Sequence, residues 1–192
     1  PVSIIGRTPK HGSWIALRKA STLRRSPLDP FPHHDQKSAM SIESHIAELG
    51  HVLPQPAAPI ASYVAAVEVN GMLHISGQLP FDGDVILTGR LGDDRDIAFG
   101  QKAAEKCGLM LVAQMKAALG SLDRVERVVK LGAFIASTDD FTDQPAVANG
   151  ASDLMVAIFG EAGRHARSAV GVPVLPRGAA VEIDAIIAVR QG

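Results

Sequence analysis

Hydrophobic and polar positions follow two different periods along the last 150 or so residues of the chain. Runs rich in β-branched residues, alternating or continuous, predict strands at residues 63–69, 72–76, 125–136, 167–174 and 179–189. Apolar residues spaced three or four apart predict helices at about 96–119 and 142–159, and a short helix capped by Ser41 runs to about Leu49. After the short helix, the order ββαβαββ predicts an α+β domain in which two helices cover one face of one sheet. The other face of that sheet then needs cover, and oligomerisation through it is the economical solution.

Two turn signals predict how the strands pair. Asn70-Gly71 is a strong signal for a two-residue hairpin between the first two strands. The segment Leu175–Gly178 (Leu-Pro-Arg-Gly) suits a type I turn, so the last two strands are predicted to form a closing hairpin. With that register, Arg167 and Glu182 lie on the same face of the sheet, whereas a slip of one residue would place them on opposite faces.

The first 39 residues differ from the rest of the chain. They hold seven Lys or Arg against two Asp and show no sustained periodicity, which predicts a basic, disordered extension at 1–39 before a domain at 40–192. The segment is similar to a transit peptide, and translation beginning at Met40 is an equal alternative. The pair His33 and His34 is weak evidence for metal binding.

Composition and missing motifs exclude several functional classes. The net charge is −1, and no basic patch with interleaved aromatic residues follows 1–39, so nucleic acid is an unfavoured partner. A single cysteine, Cys107, excludes an internal disulfide and fits a reducing compartment, which we take to be the cytoplasm; its apolar neighbours predict a core residue. No apolar run is long enough to span a membrane. Motifs for nicotinamide cofactors, phosphate loops, serine hydrolases and structural zinc are absent from the sequence.

A small set of polar residues at strand ends and on the second long helix remains as candidates for chemistry. They are Tyr63, Ser76, Asn149, Arg167 and Glu182, and His165 beside Arg167 is a further candidate for ligand contact. An exposed arginine and glutamate at a solvated sheet edge are the simpler interpretation from spacing alone.

Several segments of the sequence resemble the Rid/YjgF family, the reactive-intermediate (enamine/imine) deaminases that are also called endoribonuclease L-PSP. The similarity spans about 50–190. It rests on Tyr63-Val64, Ile-Ser-Gly-Gln-Leu-Pro at 75–80, Asp-Arg-Val-x-x-Val-Val-Lys at 123–130, Asp140-Phe141, and Arg-Ser, Leu-Pro and Val-Glu-Ile-Asp-Ala-Ile within 167–186. The resemblance implies a chorismate-mutase-like fold of the bacillus type, a homotrimer, and ligand clefts between subunits.

The resemblance also assigns roles to the candidates. Arg167 matches the arginine that holds the substrate carboxylate, and Glu182 matches the glutamate that holds the attacking water. Tyr63, Ser76 with the Gly77 backbone, and Asn149 match positions that line the cleft. The implied activity is hydrolysis of 2-imino acids to 2-keto acids and ammonia, with no metal or organic cofactor. Beside a cationic Arg167, Glu182 is expected to stay ionised.

Two positions depart from the family pattern. Ala169 replaces the usual cysteine two residues after the arginine, and Gly171 replaces the acidic residue two further on. Together with the extra helix within residues 41–53 and a longer segment before Arg167, they resemble a divergent, YjgF/chorismate-mutase-like branch. A trimer that binds a small carboxylate without turnover is therefore the alternative function, and an endoribonuclease is a second alternative.

Overall fold

The computed structural model describes residues 40–56 and 62–191. The expectations for 1–39, including the pair His33 and His34, lie outside the described residues. The described elements are, in chain order, α1 (Ile42–Glu48), β1 (Ala66–Val69), β2 (Met72–Gln78), β3 (Phe81–Asp82), β4 (Val85–Ile86), α2 (Ile97–Leu119), β5 (Val125–Ala136), α3 (Gln144–Phe159), β6 (Ala166–Val172) and β7 (Val181–Val189). No helix in this part of the chain is long and apolar enough to cross a bilayer.

Five strands form one mixed sheet in the order β1-β2-β7-β5-β6. β5 and β6 run parallel, joined by the α3 crossover, and the other neighbours are antiparallel. Asn70 and Gly71 both have positive φ (50° and 74°), as the predicted hairpin between β1 and β2 requires. β3 and β4 form a separate two-stranded ribbon. The predicted α+β class with one mixed sheet is confirmed.

The predicted closing hairpin is wrong, because β5 lies between β6 and β7. A turn does form at Leu175–Gly178, with the Gly178 N–H donating to Leu175 O at 3.1 Å, but the positive φ of Arg177 (59°) does not fit the predicted type I turn. The turn carries the chain across the end of β5, where Leu175 and Ala179 pack in a small apolar cluster with Ala136, the last residue of β5. β7 thereby becomes an inner strand, which suits its alternation of fully and partly buried residues.

The two long helices cover one face of the sheet, as predicted. Buried side chains from α2 and α3 pack against inward-facing residues of the strands, including Leu131 and Ile135 on β5 and Ile183 and Ile187 on β7. The opposite face carries partly exposed apolar residues, among them Val67, Val69 and Val170 at 46–48% exposure. Within the described residues, α2 and α3 leave this second face uncovered.

The predicted first helix is also present. Ser41 caps α1 by accepting a hydrogen bond from the Ser44 N–H at 3.2 Å. α1 is held to the helical layer by buried Ile46 and by His45, whose Nε2 bonds to Ala157 O of α3 at 3.0 Å.

α2 and α3 are in close contact at Gly150, and this contact generates a stability prediction. A Cβ at this position would overlap the carbonyl oxygen of Gln101 on α2. Although alanine has the higher helix propensity, we expect Gly150→Ala to lower the free energy of unfolding by about 2 kcal/mol through overpacking. Ala157→Gly at an exposed position of α3 is the control, with an expected loss of about 1 kcal/mol. Urea denaturation measures both, and a neutral or stabilising Gly150→Ala would contradict the close helix contact.

Candidate functional site

Arg167 lies on the edge strand β6 and reaches across to α3. Its Nη1 donates to Asn149 Oδ1 at 3.0 Å and to Ser152 Oγ at 2.8 Å, and its Nη2 donates to Pro145 O at 3.0 Å. None of these acceptors is a carboxylate, so the positive charge is positioned without being neutralised. Nε and one Nη2 hydrogen have no acceptor among the described residues, and the side chain is partly exposed. The guanidinium can therefore still bind a small anion such as a carboxylate.

A second layer of hydrogen bonds supports Arg167 through His165. His165 Nδ1 lies 2.6 Å from Gly163 O, and its Nε2 lies 3.0 Å from Ser152 Oγ. A carbonyl oxygen can only accept, so Nδ1 carries the proton, and in the neutral ring Nε2 then accepts from the Ser152 hydroxyl. The serine oxygen is left to accept from Arg167. His165 is thus a positioning residue that orients Ser152 toward the guanidinium.

Glu182 lies on β7 with its carboxylate against Gly77 of β2. A Cβ at position 77 would overlap Glu182 Oε1, so the absence of a side chain there admits the carboxylate. The carboxylate has no hydrogen bond or ion pair with any described residue. Burial raises the pKa of Glu182, and the negative charge of Asp184 raises it further. The expectation that a nearby Arg167 keeps Glu182 ionised is wrong for the single chain, since the charge that acts on it comes from Asp184.

Ser76 and Gly77 form a bulge in β2 where the register to β7 shifts. The buried amide of Gln78 donates to the carbonyl oxygens of Ser76 and Gly77 at 3.0 and 3.2 Å. The Ser76 hydroxyl donates to Ala65 O at 3.2 Å, so it can still accept a hydrogen bond. The bulge and the Glu182 carboxylate together make one compact polar region on the sheet.

Arg167 and Glu182 do not share a face of the sheet, contrary to the sequence prediction. Leu131 of β5 pairs with Arg167 on one side and with Ala185 on the other, so these three side chains point toward the helices. Glu182 is three positions from Ala185 and points to the uncovered face. The register predicted for a hairpin does not apply, because β5 lies between β6 and β7.

The remaining candidate residues lie at three separate places: beside Arg167, beside Glu182, and at the sheet edge opposite β6. Asn149 contacts Arg167 directly. Tyr63 precedes β1 and is 50% exposed, at the sheet edge opposite β6. With neighbouring strands about 4.8 Å apart, the two edges of a five-stranded sheet lie about 19 Å apart. One chain therefore presents Arg167 with Asn149, Glu182 with Ser76 and Gly77, and Tyr63 as three separate groups.

Sequence reasoning missed two residues of the site and left a third without its role. Ser152 and Gln78 were not selected, and His165 was treated as a ligand contact instead of a support for Ser152. The spacing of Asn149 and Ser152, three apart on an apolar helix, was the available signal, because such residues share one helix face. Gln78 was visible within the Ser-Gly-Gln motif, but its bonds to the bulge depend on the fold.

Two other findings limit the chemistry of the site. Among residues 40–56 and 62–191, no three His, Cys, Asp or Glu side chains are arranged to hold a metal ion. Cys107 is fully buried on α2, and burial raises the pKa of its thiol well above the ordinary value, with the charge of Glu182 adding to the effect. The prediction that Cys107 is a core residue is confirmed.

The unpaired Glu182 carboxylate generates a prediction about pH. Because its pKa is raised in the folded chain, the folded state holds the proton more tightly than the unfolded state, and stability falls as pH rises through that interval. We expect Glu182→Gln to raise the melting temperature at pH 7 and to have little effect below about pH 4.3, where glutamate is protonated in both states. The side chain is partly exposed, so the gain stays below about 1 kcal/mol. Glu126→Gln, at an exposed position of β5, is the control; equal effects of both changes at all pH values would contradict this account.

Comparison with known proteins agrees with this fold. The family described as YjgF/chorismate mutase-like, putative endoribonuclease matches residues 43–186. Protein TCP17 of Trypanosoma cruzi is 53% identical over 149 residues, covering 76% of this chain and 92% of the relative. The 2-iminobutanoate/2-iminopropanoate deaminase of Dermatophagoides farinae is 32% identical over 135 residues, covering 69% and 89%. The crystal structure of the protein Atu1372 from Agrobacterium tumefaciens, of unknown function, superposes with a TM-score of 0.73 at 46% identity, covering 78% and 92%. The chain therefore belongs to the YjgF/chorismate mutase-like family.

Proposed function

We propose that this protein is an enamine/imine deaminase, which hydrolyses small 2-imino acids to 2-keto acids and ammonia. The observation that carries the proposal is the Arg167 guanidinium, which α3 holds through three uncharged acceptors and which keeps hydrogen-bond donors free. A planar cation in this setting suits the carboxylate of a 2-imino acid, which lies one carbon from the reacting C=N bond. The likeness to a 2-iminobutanoate/2-iminopropanoate deaminase supports the same substrate class.

The proposed reaction adds water to the C=N carbon and then releases ammonia. Arg167 fixes the carboxylate and so the orientation of the imine, which supplies much of the acceleration in reactions of this kind. Glu182 accepts a proton from the attacking water and gives it to the imine nitrogen, which yields a carbinolamine. It then transfers the hydroxyl proton of the carbinolamine to the amine, so that the C–N bond breaks and ammonia leaves as the C=O bond forms. A carboxylate whose pKa is raised by burial is suited to both steps, because its pKa moves toward the working pH.

Because Arg167 and Glu182 point to opposite faces, this reaction needs two copies of the chain. We propose a homotrimer in which the uncovered sheet face and the β6 edge of adjacent copies meet, so that Arg167 of one copy and Glu182 of another border one cleft. The exposed valines of the uncovered face support burial against a second copy. Tyr63, on the opposite edge from Arg167, would reach the same cleft only by this assembly.

The second candidate function is binding of a small carboxylate without turnover. The hydrogen bonds of Arg167 suffice for this role, and it does not require Glu182. Calorimetry with 2-oxobutyrate separates the two functions, since saturable binding without hydrolysis of the imine would leave only the binder.

Substitution of Arg167 tests the deaminase function. With 2-aminoacrylate generated in situ, we expect Arg167→Ala to reduce kcat/KM for keto acid release by about 100-fold, the value of a charge-assisted bidentate contact. Arg167→Lys should recover part of this loss, because it keeps the charge without the planar fork. Arg164→Ala is the matched control, since Arg164 is exposed and pairs only with Glu161 among the described residues. Keto acid release by wild type at the buffer rate would exclude the enzyme.

Mixing two inactive variants tests the shared cleft. If Arg167 and Glu182 act from different copies, co-expression of Arg167→Ala with Glu182→Gln should restore about a quarter of the sites when subunits mix at random. Each variant expressed alone should stay inactive. Light scattering of the wild type should give a trimer mass, and a mixed population without recovered activity would contradict a cleft built from two copies.

A further inference from the structure

The helix-facing side of β6 carries Arg167, Ala169 and then Gly171, and side chains of other elements converge on the empty position of Gly171. A Cβ there would lie 2.6 Å from Ser137 Oγ and 2.8 Å from Gln144 Nε2. These three residues line a cavity of about 220 Å³, which we call the Ser137 notch. The departure from the family pattern at Gly171 therefore leaves room beside β6, and polar groups lie next to it.

Ser137 is the unusual member of the notch. It is only 4% exposed, yet its hydroxyl has no hydrogen-bond partner among the described residues. Its backbone is held on both sides, because the N–H donates to Val172 O at 3.1 Å and the carbonyl accepts from Arg90 Nε at 3.0 Å. A hydroxyl whose backbone is fixed and which faces a cavity without a protein partner can form its hydrogen bonds only with water or with a ligand group in that cavity.

The other groups around the notch indicate what kind of ligand group would fit. Gln144 Nε2 donates to Phe141 O at 2.6 Å, which leaves one N–H and the amide oxygen for other partners. α3 begins at Gln144 without a side-chain cap. Pro145 has no N–H, and the N–H groups of Ala146 and Val147 donate to Asp143 O, so only the Gln144 N–H can add a further backbone donor. Asp139 lines the notch, and the adjoining Arg90 is already engaged, because its Nε donates to Ser137 O at 3.0 Å and its Nη2 lies 3.7 Å from Asp139 Oδ1. A carboxylate would therefore meet the charge of Asp139 and a guanidinium that is already paired, whereas a carboxamide would find both donors and acceptors.

The notch lies close to the guanidinium of Arg167. Arg167 Nη2 donates to the carbonyl of Pro145, the residue directly after Gln144, and consecutive Cα atoms are about 3.8 Å apart. The guanidinium and the notch therefore contact neighbouring residues at the same end of α3.

We propose that the Ser137 notch is a second subsite of the Arg167 site and holds an uncharged hydrogen-bonding group of the carboxamide type. The carboxylate of the same ligand binds Arg167, so the inference rests on the proposed function at that residue. It names the substrate class as 2-imino acids whose side chain ends in a carboxamide.

Three acids of nearly equal shape test the subsite by calorimetry on the full-length protein. Glutaramate ends in a carboxamide, glutarate in a carboxylate, and 5-methylhexanoate in an apolar isopropyl group. We expect glutaramate to bind about tenfold more tightly than either of the others, the value of one or two neutral hydrogen bonds. Succinamate, shorter by one methylene, tests the spacing.

Two substitutions and a control connect this selectivity to the notch. Ser137→Ala removes the hydroxyl without adding volume, so it should abolish the preference for glutaramate while leaving the melting temperature equal or higher. Gly171→Ala should do the same by filling the notch, at a backbone conformation open to alanine. Thr142→Ala, which removes an exposed hydroxyl from the loop before α3, should leave the preference intact.

The outcomes separate the subsite from the proposed function. If 2-oxobutyrate binds in an Arg167-dependent manner but the amides show no preference, or if glutarate binds most tightly, the carboxamide subsite is wrong and the Arg167 site stands. If no acid binds, 2-oxobutyrate included, the proposed function fails and the subsite fails with it. An amide preference that survives both Ser137→Ala and Gly171→Ala would also overturn the assignment.

Discussion

The position of β7 between β2 and β5 is the constraint on which the rest of this structure depends. The chain reaches it by crossing the end of β5, where Leu175 and Ala179 pack on Ala136. As an inner strand, β7 directs Ile183, Ala185 and Ile187 into the helix-covered core and Glu182 and Asp184 to the other face. This arrangement leaves β6 at the edge of the sheet, where the guanidinium of Arg167 can remain partly exposed.

The two charged groups of the candidate site are held in different ways, and each way has a physical cost. Arg167 is oriented by neutral acceptors, so its charge remains available but its guanidinium is partly desolvated. Glu182 lies half-buried beside Asp184 and against Gly77, and no cation among the described residues compensates its charge. Repulsion between the two carboxylates and desolvation both disfavour the ionised form. Unfavourable electrostatic interactions of this kind are typical of functional sites, where a bound ligand supplies the missing hydrogen-bond or ion-pair partners.

Two features of the described structure lack a partner, one at the scale of the whole sheet and one at the scale of a single polar group. At the scale of the chain, the valines on the second sheet face remain partly exposed, as in a protein that associates through that face. At the scale of a single group, the Ser137 hydroxyl faces the notch beside Gly171 and bonds to no other described residue. Contiguous exposed apolar patches and polar side chains without protein partners are both uncommon in folded proteins, so each points to a missing partner or ligand.

The sequence by itself determined the elements, the fold class and the identity of most polar residues of the site. Periodicity places α2, α3 and β5, and Asn70-Gly71 requires the first hairpin, because these features depend on neighbours along the chain. Gly77 and Arg167 were identified by the resemblance of the Ser-Gly-Gln and Arg-Ser segments to the Rid/YjgF family. Only the tertiary structure decided that β5 separates β6 from β7, and hence that Arg167 and Glu182 face opposite ways. The Leu175–Gly178 turn is locally compatible with a hairpin and with a crossing over β5. The choice between them depends on burying β7 between two strands, a long-range packing energy that no local pattern encodes. The roles of Ser152 and Ser137 could not be predicted from the sequence for the same reason, since they depend on residues that are distant in sequence and close in space.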